Sequence, residues 1–182
     1  GFIQAFSGSH RYILDYLVEE VLSCQPASTQ EFLSKTSILG RLSAPLCNAL
    51  TEREDTQRIL SAIEKSNLFL VPLDDERRWY RYHHLFADLL RSTLSQKWPG
   101  QEAELHRRAC EWYIENGSVS EAVNHASAAG DIEYVAQLIE KNALAIITVH
   151  NEQLSTLAGW MDTLPEEWLH SRPWLAMARA WL

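Results

Sequence analysis

Apolar residues in this chain recur mostly at three- and four-residue steps, the signature of helices with one buried face. Tyr12, Ile13, Tyr16, Leu17 and Val21 form the first such face, with Asp15, Glu19 and Glu20 opposite. The pattern predicts a helix from Ser9 to Gln25-Pro26, because proline disfavours α geometry in the residue before it. Ser28-Thr-Gln-Glu31 reads as a capping box for a second helix, which carries Phe32, Leu33, Ile38 and Leu39 and stops at Gly40. Ser43-Ala-Pro45 opens a third helix with Leu46, Cys47 and Leu50, since proline in a first turn gives up no hydrogen bond. A fourth starts near Asp55 and turns Ile59, Leu60 and Ile63 inward.

The period then changes from 3.6 to 2. Phe69, Val71 and Leu73 alternate with Leu70 and Pro72, as in a strand. Asp74-Asp-Glu-Arg-Arg78 is a polar turn, and the return strand sets Trp79, Arg81 and His83 against Tyr80 and Tyr82. A helix beginning at or just after His83-His84 carries the stripe Leu85, Phe86, Leu89, Leu90 and Leu94. Several helices, a two-stranded wing and one more helix make the order of a winged-helix fold. The expected fold class is therefore mainly α, a winged-helix domain with a small β-hairpin wing followed by antiparallel, tetratricopeptide-like helical repeats.

Pro99-Gly100 marks the clearest domain boundary, which puts the winged helix at residues 10–98 and the repeats at 99–182. Residues 1–9 read as a linker or the trailing end of an upstream module. In the second region Asn116-Gly117 closes one helix, Ser118-Val-Ser-Glu121 reads as another capping box, and Asp131 caps the helix after Gly130. A last pair is expected over about Glu152–Leu164 and Pro173–Leu182. Antiparallel pairs of roughly 30–40 residues match solenoid repeats. The apolar, helical ending PWLAMARAWL suggests that the repeat array is incomplete and the chain a fragment.

Composition narrows the classes. With 46% hydrophobic and 22% charged residues, the 182-residue chain has a soluble globular profile. A net charge of −8 opposes a large phosphate-binding surface. The densest basic patch is Arg77, Arg78 and Arg81, which a DNA-binding wing would use. Cys24, Cys47 and Cys110 lack metal or redox spacing and read as small buried hydrophobes, compatible with a reducing, cytoplasmic setting. No phosphate loop, dinucleotide fingerprint, zinc-ligand spacing or catalytic set stands out, so neither a catalytic nor a metal site is expected.

The runs RYILDYLVEEVL, FLSKTSIL, APLCNAL, NLFLVPLDDERRWYRYHHLFADLLR, HRRACEWY, EAVNHASAAGD and WMDTLPEEW resemble the MalT-like, ATP-dependent regulators among the large LuxR-type transcription factors, members of the STAND class of signalling NTPases. The resemblance spans essentially the whole chain. It implies a central fragment: a winged helix after a nucleotide-binding module, then the start of a helical sensor domain. ATP or ADP would bind the parent protein rather than this fragment, and any slow ATP hydrolysis would occur in the absent module. The STAND Met-His-Asp motif, whose histidine contacts the β-phosphate of ADP, falls on Tyr82-His83-His84. His83 is thus the implied phosphate contact, with His84 the alternative and Arg81 a further candidate. Implied partners are the upstream nucleotide-binding module, an inducer or regulatory protein on the repeats, and further copies in the active state. Direct DNA contact and membrane association are not expected. The alternative function is a winged-helix DNA binder with accessory interaction repeats, and in a third reading the repeats alone are a protein-binding scaffold.

Overall fold

Pro26 decides where the first complete helix begins. Its backbone (φ −53°, ψ 146°) is extended, and its carbonyl accepts the N–H groups of Thr29 and Gln30 at 2.9 and 3.0 Å. In the computed structural model, which describes residues 17–66, 68–148 and 154–182, helix α1 therefore spans Ala27–Thr36. The expected Ser28 capping box does not form. Ser28 already lies within the first turn, and Glu31 pairs instead with Lys35 at 2.6 Å. The preceding segment is described from Leu17, where Leu17–Leu22 form a turn of π-helix with Val21 and Leu22 buried. The predicted start of that helix at Ser9, like the 1–9 segment, falls outside the described residues.

The end of α1 also comes earlier than Gly40. The Thr36 hydroxyl donates back to the Phe32 carbonyl at 2.7 Å, and Ile38 and Leu39 are buried in the turn that follows. This turn leads to Leu42, whose N–H and C=O both pair with Tyr80 at 2.7 and 2.8 Å. Leu42 is thus a one-residue third strand, too short for any period-2 pattern to announce.

Helix α2 (Ala44–Thr51) has Ser43 at its N-cap and proline in its first turn, as expected. Helix α3 (Thr56–Lys65) follows Asp55. Thr56 ties the two together, lying 2.8 Å from the Ala44 carbonyl and 2.6 Å from the Asn48 side chain. Strands β1 (Leu70–Pro72) and β2 (Tyr80–Tyr82) then pair antiparallel, with Leu70 opposite Tyr82, Val71 opposite Arg81 and Pro72 opposite Tyr80. Helix α4 (His84–Lys97) closes the domain and buries Phe86, Leu90 and Leu94 completely. Phe32, Leu33, Leu46, Leu50, Leu60 and Tyr80 complete this core. Burial makes the Cys47 thiol a poor acid, its pKa pushed up to about 12.

The chain divides into two compact units, one ending at Leu105 and one starting at His106. Helix α5 (Gln101–Glu115) spans the division. In the second unit α6 (Val119–Ala128), α7 (Ile132–Thr148), α8 (Leu154–Asp162), α9 (Glu166–Ser171) and α10 (Pro173–Trp181) follow. Helix α7 packs against α6, α8 and α10. Buried Ala122, Ala126, Ala136 and Ala143 are small enough to let these backbones approach closely. The tight turns at Gly117 and Gly130 use φ of +73° and +77°, which glycine adopts without a Cβ clash. Asp131 does cap α7, its carboxylate accepting the Tyr134 N–H at 3.0 Å. Ser118 takes the N-cap position of α6, but its hydroxyl makes no capping bond.

Helix α9 lies between the last two expected helices, in a stretch for which the sequence pattern predicted no helix. Pro165 supplies an extended N-cap (φ −59°, ψ 145°), which allows a short helix to restart directly after it. Arg172 then pairs with Glu140 of α7 at 2.9 Å and lies over the Trp168 ring at 5.1 Å. One cysteine departs from expectation. Cys47 and Cys110 are buried, but Cys24 is exposed because it sits in the turn ahead of Pro26, off the apolar face.

Candidate functional site

The two faces of the hairpin differ in their exposure. Leu70, Tyr80 and Tyr82 point inward, at 7, 1 and 6% exposure, and the Tyr82 hydroxyl meets that of Thr36 at 2.7 Å. Burial raises the Tyr82 pKa above its ordinary value, so the phenol stays neutral. Phe69, Val71 and Leu73 lie outward at 37, 38 and 46% exposure. Arg81, cross-strand from Val71, and His83 are exposed as well. Alternation along the sequence found both sets. Only the core packed beneath the hairpin shows which set is covered.

His83 occupies the junction between β2 and α4. Its N–H donates to the Phe69 carbonyl at 2.8 Å, and its own carbonyl accepts the Ala87 N–H at 2.9 Å as the first bond of the helix. It is the N-cap residue, yet its side chain makes no capping bond. The imidazole therefore projects outward. His84 is the first helical residue, and the two rings lie 4.3 Å apart at 33°. Phe69 approaches His83 edge-on with ring centroids 6.3 Å apart, and packs against Phe86 at 5.7 Å.

By helix geometry the first N–H groups of α4 have no partner within the helix, and its dipole places positive potential there. Two exposed imidazoles at such an end are suited to an anionic group such as a phosphate. His83, His84 and Arg81 thus lie on the exposed side of one hairpin-helix junction. Among the described residues, no group of three or more His, Cys, Asp or Glu side chains is placed to hold a metal.

Of the three basic candidates of the wing, Arg77 and Arg78 pair with carboxylates of the same domain. Arg77 lies 3.1 Å from Glu64 of α3, and Arg78 lies 3.2 Å from Glu76. Arg77 has φ +54°, which turns the chain at the hairpin tip.

A second histidine pair was not among the residues that the sequence singled out. His106 and His125 bring their Nδ1 atoms within 2.8 Å, and the Tyr113 ring stacks on His125 at 5.4 Å. Both rings are buried, at 9% exposure each. Burial and then the neighbouring His106 lower the His125 pKa to about 4. Since a hydrogen bond needs one donor and one acceptor, the neutral pair holds one proton between the two facing nitrogens. The available signal was positional. His106 lies on the apolar stripe of Leu105, Ala109 and Tyr113, and His125 on that of Ala122 and Ala126.

Three helices with a two-stranded wing, a one-residue third strand and a closing helix define a winged-helix domain, here followed by helix-turn-helix pairs. Residues 18–102 match the family model of the MalT winged helix domain. Over 174 residues the chain is 34% identical to the HTH-type transcriptional regulator MalT of Vibrio parahaemolyticus, and 32% identical to that of Vibrio campbellii. Each match covers 96% of this chain and 19% of the relative, so the chain spans about a fifth of their length. The chain is thus MalT-like over nearly its whole length, with residues 18–102 matching the winged helix domain. Among the described residues no helix is long and apolar enough to cross a membrane.

Proposed function

We propose that this chain is a regulatory, non-catalytic segment of a cytoplasmic, ATP-dependent transcription regulator. In this reading the winged helix closes over ADP held by a nucleotide-binding module of the same protein. The second unit receives the inducer or a regulatory protein, and release of the closed state permits self-association. The observation that carries the reading is the exposed imidazole of His83 at the N-cap of α4, with its backbone engaged and its ring making no capping bond. Such a ring can donate a charge-assisted hydrogen bond to a phosphate oxygen. A bond of about 1.5–3 kcal/mol shifts a closed/open ratio by roughly tenfold or more.

The DNA-binding alternative loses ground through the ion pairs of Arg77 and Arg78, which leave less positive charge for a phosphate backbone. The test is His83→Ala in the intact regulator. ADP retention should fall by about tenfold or more, and transcription without inducer should rise. Unchanged ADP retention together with unchanged basal transcription would refute the reading. His84→Ala, made in parallel, decides which imidazole meets the nucleotide.

A further inference from the structure

Phe69 holds a backbone conformation that aromatic residues seldom adopt. Its φ of +53° lies in the left-handed region, where the Cβ crowds the main chain. Such strain persists only where surrounding contacts hold it, and it is concentrated at functional positions. Here the contacts run to His83 on one side and to the core on the other. The Phe69 carbonyl accepts the His83 N–H at 2.8 Å, and the Phe69 ring stands against the His83 ring at a centroid distance of 6.3 Å. On the core side the same ring packs against Phe86, which is completely buried.

An exposed imidazole on an otherwise unrestrained side chain loses rotamer freedom when it binds, and that loss weakens the complex. A ring anchored on the core and placed beside the imidazole removes part of the freedom beforehand. We infer that Phe69 is the positioning residue for His83, holding its main chain through one hydrogen bond and its ring through an edge contact. His83 then presents its ring nitrogens to a ligand at a set angle. The inference rests on the proposed phosphate contact, to which it adds the residue that orients the contacting group.

Two readouts test it. In this chain, NMR of the His83 ring protons is compared among wild type, Phe69→Leu and Phe69→Tyr. Leucine keeps an apolar side chain against Phe86 but removes the ring, so the His83 signals should move toward those of an unconstrained histidine. Tyrosine keeps the ring and should leave them in place. Should Phe69→Leu fail to fold, Phe69→Gly suits the left-handed backbone and removes only the side chain. His83 signals unmoved in the folded ring-less variant would overturn the inference.

In the intact regulator, Phe69→Leu should weaken ADP retention about fivefold, the scale of the rotamer freedom lost by one immobilised side chain, with Phe69→Tyr keeping the wild-type value. If His83→Ala weakens retention and Phe69→Leu does not, the positioning role is refuted. If His83→Ala itself has no effect, the phosphate reading is what fails. The positioning of His83 is then judged by its NMR signals alone.

Discussion

The two units use their polar groups in different ways. In the winged helix, polar contacts join residues far apart in the chain: Thr36 with Tyr82, the Arg91 guanidinium with the Ser37 carbonyl at 3.1 Å, and Leu42 with Tyr80. In the second unit most order comes from neighbouring helices, and among the described residues its long-range polar contacts include His106 with His125, Arg172 with Glu140 and Arg179 with Asp162. The first unit resembles a closed knot of non-local contacts and the second a row of local ones, the arrangement that lets repeat arrays grow by addition. Exposed apolar side chains follow the same division. Among the described residues, the large ones of the winged helix are Phe69, Val71 and Leu73, all at the hairpin. Those of the second unit are spread over α7 and α10, at Ile132, Leu144, Trp174, Met177 and Trp181, with Leu182 just beyond. The exposed apolar surface of the first unit is thus narrow and placed beside His83, whereas that of the second is spread along two helices.

The sharpest way to break this contrast is to open the knot. Phe86→Ala removes a fully buried ring that several elements share and should cost the winged helix about 3–5 kcal/mol, read as a loss in urea midpoint. A loss under 1 kcal/mol would mean that the domain is far less tightly interlocked than its contacts indicate.

The histidine pair gives the second unit a pH dependence that the first need not share. His125 has a folded pKa of about 4, below the 6.5 of an unstrained histidine, so the unfolded state binds the proton more readily. The stability held by the neutral pair is complete above about pH 6.5 and declines as pH falls through about 4, a loss of roughly 1–3 kcal/mol. Denaturation of wild type and His125→Gln between pH 7 and pH 4 checks this. The slope should flatten in the variant, and identical slopes would remove the pair as its cause.

The smallest effect is expected at the polar link between α1 and β2. Tyr82→Phe leaves the Thr36 hydroxyl donating to the Phe32 carbonyl, so only one bond is lost, worth about 1 kcal/mol. A cost several times larger would show that the Thr36–Tyr82 contact organises the hairpin rather than fastening it. Measured beside Phe86→Ala, it apportions the stability of the knot between packing and hydrogen bonding.

Features encoded within a few residues are legible in the sequence. Pro45 in a first turn, the turns at Gly117 and Gly130, the Asp131 cap and the start of α4 at His84 depend on local φ preferences and single side-chain bonds. Local competition also accounts for the departures. Ser28 and Pro26 both have the chemistry to begin α1, and the fixed extended geometry of proline prevails over a hydroxyl cap. At the candidate site, the sequence places His83, His84 and Arg81 beside one another but reads Phe69 as part of the strand, whereas it precedes β1 with a left-handed backbone that follows no composition rule.

By itself, then, the sequence determined the helical periods, the hairpin, the winged-helix order and the family likeness, because each is carried by spacing along one segment. The tertiary structure alone decided the pairing of Leu42 with Tyr80, the meeting of His106 with His125, the ion pairs of Arg77 and Arg78, and the side of the hairpin left uncovered. Each of these joins side chains or main chains whose approach is set by packing between elements. A one-dimensional pattern gives the face of a helix or strand, but not what comes to lie against it.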